Sequence, residues 1–385
     1  MTLLAISFGV SGLIVSAGFI HDIYIQLGEA IIHSQTGHIQ VFKRGLMEGG
    51  TRHPEKYLVA NSAEVVQRLE KVANVEQVAA RLNFSGVLNN GHRDLAIIGE
   101  AVEPQKEQRL GTLLTIQAGR HLEDTDTFGM LVGEGVARTL NLKPGDHLTL
   151  VMNTPGGALN TLELELVGVF RSFSKDFDAR AIRIPLPAAQ QLMITKGANL
   201  LVITLTSTKD TITAQNAISK QINHELEARN WRELSGFYDS TVQLYDRQFG
   251  ILQFIILIMV LLSVINSVNM SAFERMGEFG TMQALGNRPL DLFKLLVVEN
   301  AYLGLIGGLI GVSVGVGTAV LVSKIGIPMP PPPNANLGYI AQVRLVPDII
   351  LEIFLLGIIA TMAAAIVPAY RVAGTPVVDA LRQSV

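Results

Sequence analysis

The sequence has no cysteine and few charged residues. The lack of cysteine excludes disulfide bonds, thiol catalysis and cysteine-ligated metal sites. Charged residues make up 16% of the chain and hydrophobic residues 49%, whereas about 25% of the residues in a typical soluble domain are charged. This composition predicts a membrane protein. The formal net charge of −3 gives no indication of a nucleic-acid-binding surface.

Two motifs that are typical of enzymes are absent as well. None of the eight histidines has the HExxH or HxxxH spacing of a metal site. No GxxxxGK(S/T) motif is present, so we expect that the chain does not hydrolyse ATP by itself. If ATP drives the protein, a second subunit must bind the nucleotide. We predict no catalytic, cofactor-binding or metal-binding residue and no enzymatic activity in this chain.

Four apolar runs are long enough to cross a bilayer as helices. The first run, Leu3 to Ile20, lacks the charged start and the cleavage site of a signal peptide, and its helical pattern continues as a stalk. The sequence predicts an α-helical membrane protein with four transmembrane helices and a large extracytoplasmic α+β domain inserted between the first and second spans. The expected segments are the first transmembrane helix and stalk (1–36), the extracytoplasmic domain (37–239), a stalk and the second transmembrane helix (240–272), a cytoplasmic connection (273–290), the third transmembrane helix (291–323), an extracytoplasmic loop (324–347), the fourth transmembrane helix (348–370) and a cytoplasmic tail (371–385).

Within the large domain, short alternating runs and turn signals predict strands mixed with helices. Residues 75–88 and 93–99 flank Asn89-Asn90-Gly91 and predict a β-hairpin with a tight turn. Asn61 and Glu64 resemble a capping box at the start of a helix, and residues 210–229 predict a further helix. Pro155-Gly156-Gly157 predicts a turn, and Pro330 to Pro333 predict a stiff path for the loop after the third span.

The third apolar run is rich in glycine at helical spacing. Small residues four positions apart let two helix backbones approach closely in a membrane. The positions that predict such helix packing are Gly304, Gly307, Gly308, Gly311 and Gly315. Glu299 lies in the same run, about two turns from Asp291 and Lys294. Because an intramembrane carboxylate is costly, we expect Glu299 to lie at the membrane interface and to bond to a neighbouring side chain.

Residues 273–286, FERMGEFGTMQALG, form a polar connection between the second and third apolar runs. Glu274 and Glu278 are four positions apart and would share one face of a helix, which Gly286, Asn287 and Pro289 would end. This pattern predicts a short amphipathic helix at the membrane surface that offers acidic groups to a cytosolic partner. The alternative is a solvated turn without a function, since any connection between two spans is polar.

This connection resembles the coupling helix of the MacB/LolCE/FtsX superfamily of ABC permeases, whose pattern is roughly E-R-x-x-E-I/F-G-x-x-x-A-L-G. The residues that match are Glu274, Arg275, Glu278, Phe279, Gly280, Ala284, Leu285 and Gly286. In that family the helix sits in a groove of the ATPase subunit. The resemblance therefore implies an ATPase-coupling site made of these residues together with Phe273 and Gly277. Glu274, Arg275 and Glu278 would hold the groove, while Gly277, Gly280 and Gly286 would shape the helix.

Further runs resemble the extracytoplasmic core and the end of the same family. They are GHIQV (37–41), GEAVEPQKEQRL (99–110), AGRHL (118–122), LVGEGVARTLNLKPGDHLTL (131–150), LVGVF (166–170), IPLPAAQQLM (184–193) and PAYRVAGTPVVDALR (368–382). The 104–110 and 185–190 runs are most similar to the lipoprotein-releasing members, LolC and LolE. The alternative is that these runs supply turns and caps shared by every member. Family members usually carry a basic amphipathic segment before the first span, so its absence suggests a misassigned or shortened start.

The resemblance implies a non-catalytic permease subunit in the bacterial inner membrane, with its large domain in the periplasm. ATP hydrolysis in a separate ATPase dimer, which binds the ATP and Mg, would drive mechanical extraction or export of a lipoprotein, peptide or lipid-like cargo. Other implied partners are a second permease copy or paralogue and a periplasmic chaperone or adaptor. One alternative is an FtsX-like signalling subunit that activates a cell-wall hydrolase. Another is a MacB-like peptide or drug efflux permease, which is less favoured because MacB carries its ATPase in the same chain.

Overall fold

The computed structural model describes residues 2–50, 56–59, 61–110, 114–154, 156–331, 335–336 and 338–382. They form two compact units. A helical unit contains the residues up to 25, residues 240–329 and those from 340 onward. An inserted domain contains residues 26–239 and 330–339, so it includes the last turns of the first helix. The predicted turn residues Pro155, Pro332 and Pro333 lie outside the described residues.

Helices and strands follow one another along the whole chain. The helices are α1 (Thr2–Ile31), α2 (Ser62–Leu69), α3 (Pro104–Leu110), α4 (Glu134–Leu140), α5 (Lys175–Asp178), α6 (Leu186–Met193), α7 (Thr211–Gln221), α8 (Trp231–Leu234), α9 (Gly236–Glu274), α10 (Met276–Ala284), α11 (Pro289–Ile325), α12 (Pro347–Ala373) and α13 (Val377–Arg382). The strands are β1 (Ile39–Lys43), β2 (Val75–Asn89), β3 (Asp94–Val102), β4 (Thr115–Gly119), β5 (Gly129–Gly133), β6 (His147–Asn153), β7 (Leu159–Arg171), β8 (Ala181–Pro185), β9 (Leu200–Leu205), β10 (Leu226–Asn230), β11 (Ile327–Met329) and β12 (Tyr339–Ala341).

Four of these helices, α1, α9, α11 and α12, are long and apolar enough to cross a membrane. Each coincides with one of the apolar runs, and most of the inserted domain lies between α1 and α9 in the chain. The prediction of four transmembrane helices with a large domain between the first and second is confirmed. α9 has 39 residues, more than the roughly 20 residues that a bilayer requires.

The inserted domain is built on a ten-stranded sheet with the order β10-β1-β9-β2-β3-β8-β5-β7-β4, in which β6 pairs with β2 and β7. β3 with β8 and β5 with β7 are parallel pairs in this mostly antiparallel sheet. The predicted hairpin is confirmed, since β2 and β3 pair from Leu82↔Ala101 to Asn89↔Asp94. Gly91 in its turn has a φ of +85°, which glycine adopts without strain.

The predicted helix over residues 210–229 is wrong in its second half. α7 ends at Gln221, and Leu226–Asn230 forms β10, which pairs antiparallel with β1. The sequence LEARN has little intrinsic strand preference, so its conformation is set by pairing with the edge of β1. Asn61 does precede α2, but its side chain makes no capping hydrogen bond. The predicted capping box is therefore not formed.

Two arginines and two glutamates are buried together in the core of the inserted domain. Arg81 Nε donates to Glu107 Oε2 at 3.0 Å, and Arg183 Nη1 lies 3.1 Å from Glu107 Oε1. Arg183 Nε also donates to Glu100 Oε2 at 2.9 Å. Burial alone would raise the pKa of Glu107, but the charges of Arg81 and Arg183 outweigh it and lower that pKa. The 104–110 run thus supplies a structural ion pair to this core.

The loop between α11 and α12 contributes a short piece to the inserted domain. Asn336 Nδ2 donates to Asp178 Oδ2 at 2.6 Å, and Asn336 N donates to Phe173 O at 2.9 Å. The backbone N–H of Ser172 donates to both carboxylate oxygens of Asp178. Burial raises the pKa of Asp178 to about 6. Asp178 therefore joins the loop to the end of β7.

Candidate functional site

The polar connection between the second and third spans contains the predicted short helix, α10. It ends at Ala284, and Gly286 then takes a φ of +99°, a left-handed conformation that favours glycine. α11 starts with Pro289 in its first turn, where proline is well tolerated. The prediction that the helix stops at the segment containing Gly286 is confirmed, since Ala284 is its last residue.

A break at Arg275 separates α9 from α10. Arg275 has φ −104° and ψ 12°, outside the helical region, and so Glu274 is the last residue of α9 while Glu278 lies in α10. The expectation that both carboxylates share one face of a single helix is therefore wrong. The i to i+4 spacing places two side chains together only where the helix is continuous. Both carboxylates are nevertheless exposed.

One side of α10 is held by the helical unit. Met276, Phe279 and Gly280 are buried. The apolar cluster around Met276 and Phe279 also contains Ala272, Leu292, Leu296, Ala369, Val372 and Ala380. These residues come from α9, α11, α12 and α13, so α10 is attached to the ends of three predicted spans.

The other side of the connection is exposed. Six of the predicted coupling residues are exposed, namely Phe273, Glu274, Glu278, Ala284, Leu285 and Gly286. A seventh, Gly277, is half-buried. The side chains of Phe273 and Leu285 are 65% and 82% exposed. Exposed apolar side chains bordered by polar groups can mark a protein contact surface. We refer to these six exposed residues as the coupling surface.

Arg275 is engaged within the chain. Its Nε donates to Glu278 Oε2 at 3.0 Å, and its Nη1 donates to both carboxylate oxygens of Glu299, at 2.8 and 3.0 Å. Its guanidinium carbon lies 5.3 Å from the centre of the Phe279 ring. Hydrogen bonds to Glu278 and Glu299 raise the pKa of Arg275. Arg275 therefore joins α10 to α11.

The expectation that Glu299 bonds to a neighbouring side chain is confirmed, and that side chain is Arg275. A cavity of about 50 Å³ adjoins it, and its polar lining includes Ser267, Ser271 and Asn300. Asn300 Oδ1 is buried and has no hydrogen-bond partner among the residues that the structure describes. A cavity of this size can hold a water molecule.

The predicted glycine positions of α11 face two different helices. A Cβ on Gly307 would lie 3.0 Å from Ile6, and one on Gly311 would lie 2.8 Å from Val10, both in α1. Gly315 faces Ser11 and Ile14 of the same helix, whereas Gly304 faces Thr361 and Gly308 faces Phe354, both in α12. One set of glycines thus lets α1 pack closely against α11, and the other set lets α12 do so.

Sequence reasoning did not identify Asp22. This carboxylate is fully buried in α1 and accepts hydrogen bonds from Arg344 Nε at 2.7 Å and from Gln342 N at 2.8 Å. Gly18 allows the contact, because a Cβ there would lie 2.5 Å from Arg344 O. The only sequence signal was a carboxylate at the end of an apolar run. Within the described ranges, no three His, Asp or Glu side chains are arranged to hold a metal ion.

Comparison with known proteins identifies relatives over most of the chain. It is 23% identical over 259 residues to an uncharacterised ABC transporter permease of Methanocaldococcus jannaschii, which covers 63% of this chain and 60% of the relative. It is 21% identical over 260 residues to the lipoprotein-releasing system transmembrane protein LolE of Haemophilus influenzae, covering 65% and 62% respectively. The matched region therefore spans less than two thirds of either relative.

Among solved structures, the periplasmic region of MacB from Actinobacillus actinomycetemcomitans matches 54% of this chain and 95% of that chain, with 14% identity and a TM-score of 0.40. Two protein families match directly. Residues 1–221 match the MacB-like periplasmic core domain, and residues 250–377 match the FtsX-like permease C-terminal region. Together they cover α1, nearly all of the inserted domain and the remaining long helices. The chain belongs to the MacB/LolCE/FtsX superfamily of ABC transporter permeases.

Proposed function

We propose that this chain is the permease subunit of an inner-membrane ABC transporter whose separate ATPase subunits bind the coupling surface. The observation that supports this most strongly is the two-sided arrangement of α10. Its apolar side is packed against four other helices, while Phe273, Glu274, Glu278 and Leu285 are left exposed. ATP and Mg would be bound by the ATPase dimer, and this chain would transmit the resulting movement.

The cargo proposed is a lipoprotein or another amphipathic molecule that is extracted from the membrane into the periplasm. Similarity to LolE supports this class over other cargo. The inserted domain, placed in the periplasm, would receive or lift the cargo. No covalent step in this chain is required, since the energy comes from closure of the ATPase dimer.

A second permease copy or a paralogue would complete the transporter. α9 supports this, because it has a long row of exposed apolar side chains and little of it is covered by the other helices. The row includes Ile251, Leu252, Phe254, Ile255, Met259 and Leu262. In a membrane, lipid or a neighbouring helix covers such a surface.

Affinity purification of the tagged chain from its native membrane in a mild detergent tests the proposal. Mass spectrometry should identify an ABC ATPase and an acylated lipoprotein. Glu274→Lys with Glu278→Lys should remove the ATPase, because both carboxylates lie on the coupling surface. Asp124→Lys with Glu225→Lys is the matched control, since it makes the same charge change at two exposed positions of the inserted domain.

Each result has a clear meaning. An ATPase that stays bound to the doubly reversed chain would exclude the coupling surface as its binding site. Recovery of an ATPase together with a cell-wall hydrolase, and without lipidated cargo, would replace transport with the FtsX-like signalling function. If the unmodified chain recovers no ATPase, the proposal as a whole is wrong.

A further inference from the structure

We propose that Arg275 is a positioning residue that transmits movement of α10 to α11 through Glu299, and that it does not itself contact the ATPase. This inference rests on the proposed function, because it concerns how the coupling surface acts on the spans. Arg275 differs from the exposed residues of the predicted coupling site because its side chain is bonded within the chain.

The hydrogen bonds of Arg275 engage its Nε and Nη1 donors within the chain. Three of them, at 2.8 to 3.0 Å, go to the carboxylates of Glu278 and Glu299. The side chain of Arg275 is 34% exposed, whereas that of Glu278 is 62% exposed. Arginine forms strong charge-assisted bonds with two carboxylates at once because its donors lie in a rigid plane. The outward-facing member of this group is therefore Glu278.

Arg275 occupies the break between α9 and α10, where the backbone leaves the helical region. The apolar cluster around Phe279 already holds α10 against α9 and α11, and the Arg275–Glu299 pair adds a charged link at the break itself. The bond from Arg275 to Glu299 spans 24 residues of sequence and connects the break directly to the third span. Phe279, which is 1% exposed and lies beneath the guanidinium, fixes the other side of the arginine.

The cavity beside Glu299 gives the carboxylate room to move with Arg275. It measures about 50 Å³ and is bordered by Ser271 of α9 and Asn300 of α11. Among the described residues the buried Asn300 Oδ1 has no hydrogen-bond partner, so movement of the Arg275–Glu299 pair breaks no hydrogen bond from those residues to that oxygen. The Arg275–Glu299 pair is thus a charged link next to open space, and Phe279, Ala272 and Leu296 of the apolar cluster line the same cavity.

The test uses the full chain in its complex with the co-purified ATPase. Because the chain has no cysteine, Ile212→Cys places one reactive thiol at an exposed site of α7 in the inserted domain. A spin label on this cysteine measures how the mobility of the labelled site changes when ATP, Mg and vanadate are added. We call this change the nucleotide response. The variants are Arg275→Gln, Glu299→Gln and the exchanged pair Arg275→Glu with Glu299→Arg. Lys294→Gln, an exposed charge on α11, is the control.

We expect Arg275→Gln and Glu299→Gln to keep the ATPase bound but to reduce the nucleotide response of the label by about fivefold or more. The exchanged pair should restore much of that response, and the control should equal the unmodified chain. Arg275→Lys keeps the charge and should give a partial nucleotide response of the label. This variant replaces Arg275→Gln in the experiment if the glutamine variant does not fold.

Two results would overturn the inference while leaving the proposed function intact. One is loss of the ATPase from Arg275→Gln, which would make Arg275 a partner contact. The other is a full nucleotide response in Arg275→Gln or, where only the lysine variant folds, in Arg275→Lys. Failure of the unmodified chain to bind any ATPase would instead reject the proposed function.

Discussion

Arg344 Nε lies 2.7 Å from Oδ1 of Asp22, and the two residues are separated by 322 positions in the sequence. Asp22 is completely buried, whereas 43% of the Arg344 side chain is exposed. The ion pair attaches the segment before α12 to α1. Within the helical unit it supplies a polar link between the two ends of the chain.

The unequal burial of this pair predicts unequal effects of removing its two members. Arg344→Met leaves a buried carboxylate without its charge partner and should cost about 3 kcal/mol of stability. Asp22→Asn leaves an arginine that water can reach, and should cost about 1 kcal/mol. Thermal unfolding of both variants in the same detergent measures the difference. Equal losses, or a larger loss in Asp22→Asn, would contradict this account.

The glycines of α11 lead to a second prediction. Gly311→Leu should push α1 away, because even a Cβ would lie 2.8 Å from Val10 and 2.9 Å from Ser7 O. Overpacking of this kind typically costs about 1–3 kcal/mol. Gly317→Leu is the matched control on the same helix, since no atom of the described residues lies within 4 Å of the position that a Cβ would occupy there. Melting temperatures that fall equally in both variants would show that helix propensity, and not contact with α1, is responsible.

The buried charges of the inserted domain give a third prediction. Glu107→Gln should leave Arg81 and Arg183 without sufficient negative charge and should destabilise the domain by about 3–5 kcal/mol. Glu163→Gln, an exposed carboxylate on β7, should change stability by less than about 0.5 kcal/mol. Limited proteolysis of the full chain, followed at cleavage sites within residues 61–230, measures the stability of the inserted domain in both variants. A Glu107→Gln chain as resistant as the control would show that the cluster does not stabilise the fold.

Asp178 predicts a pH dependence of stability. Its pKa is raised to about 6 in the folded chain, compared with about 3.9 in an unfolded chain. The folded state therefore holds the proton more tightly, so the stabilisation is fully present below about pH 4 and is lost as pH rises through about 6. Between these values the slope should approach, at most, about 1.4 kcal/mol per pH unit. Asp178→Asn removes this titration.

Denaturant unfolding of the full chain between pH 4 and 8 provides the measurement. The slope attributed to Asp178 is the difference between the unmodified chain and Asp178→Asn. If the two curves run parallel, the carboxyl of Asp178 titrates normally.

The sequence was sufficient to predict the spans, the β2–β3 hairpin and the end of α10. Each of these depends on local signals, namely an apolar run of sufficient length, an Asn-Gly turn and a glycine followed by a proline. The error at residues 222–229 has a different origin. Those residues become β10 because β1 is available to pair with them, and no local pattern specifies a neighbouring strand.

The candidate site shows the same limit. The sequence identified α10 and its charged residues, but the helix break at Arg275 separates Glu274 from Glu278. The partner of Glu299 was not predicted either, because Arg275 comes from another helix and reaches it only once α9, α10 and α11 have packed together. Ion pairs such as Arg344–Asp22 depend on tertiary structure and carry no signal in sequence spacing.

The length of α9 has a mechanical consequence. Its 39 residues correspond to about 58 Å of continuous helix, while the hydrocarbon core of a bilayer is about 30 Å thick. Nearly half of the rod therefore projects beyond that core. A tilt of about 10° at the membrane surface would swing the end of a projecting segment of about 28 Å through about 5 Å. Leverage alone can thus enlarge a small rotation into a displacement the size of a side chain.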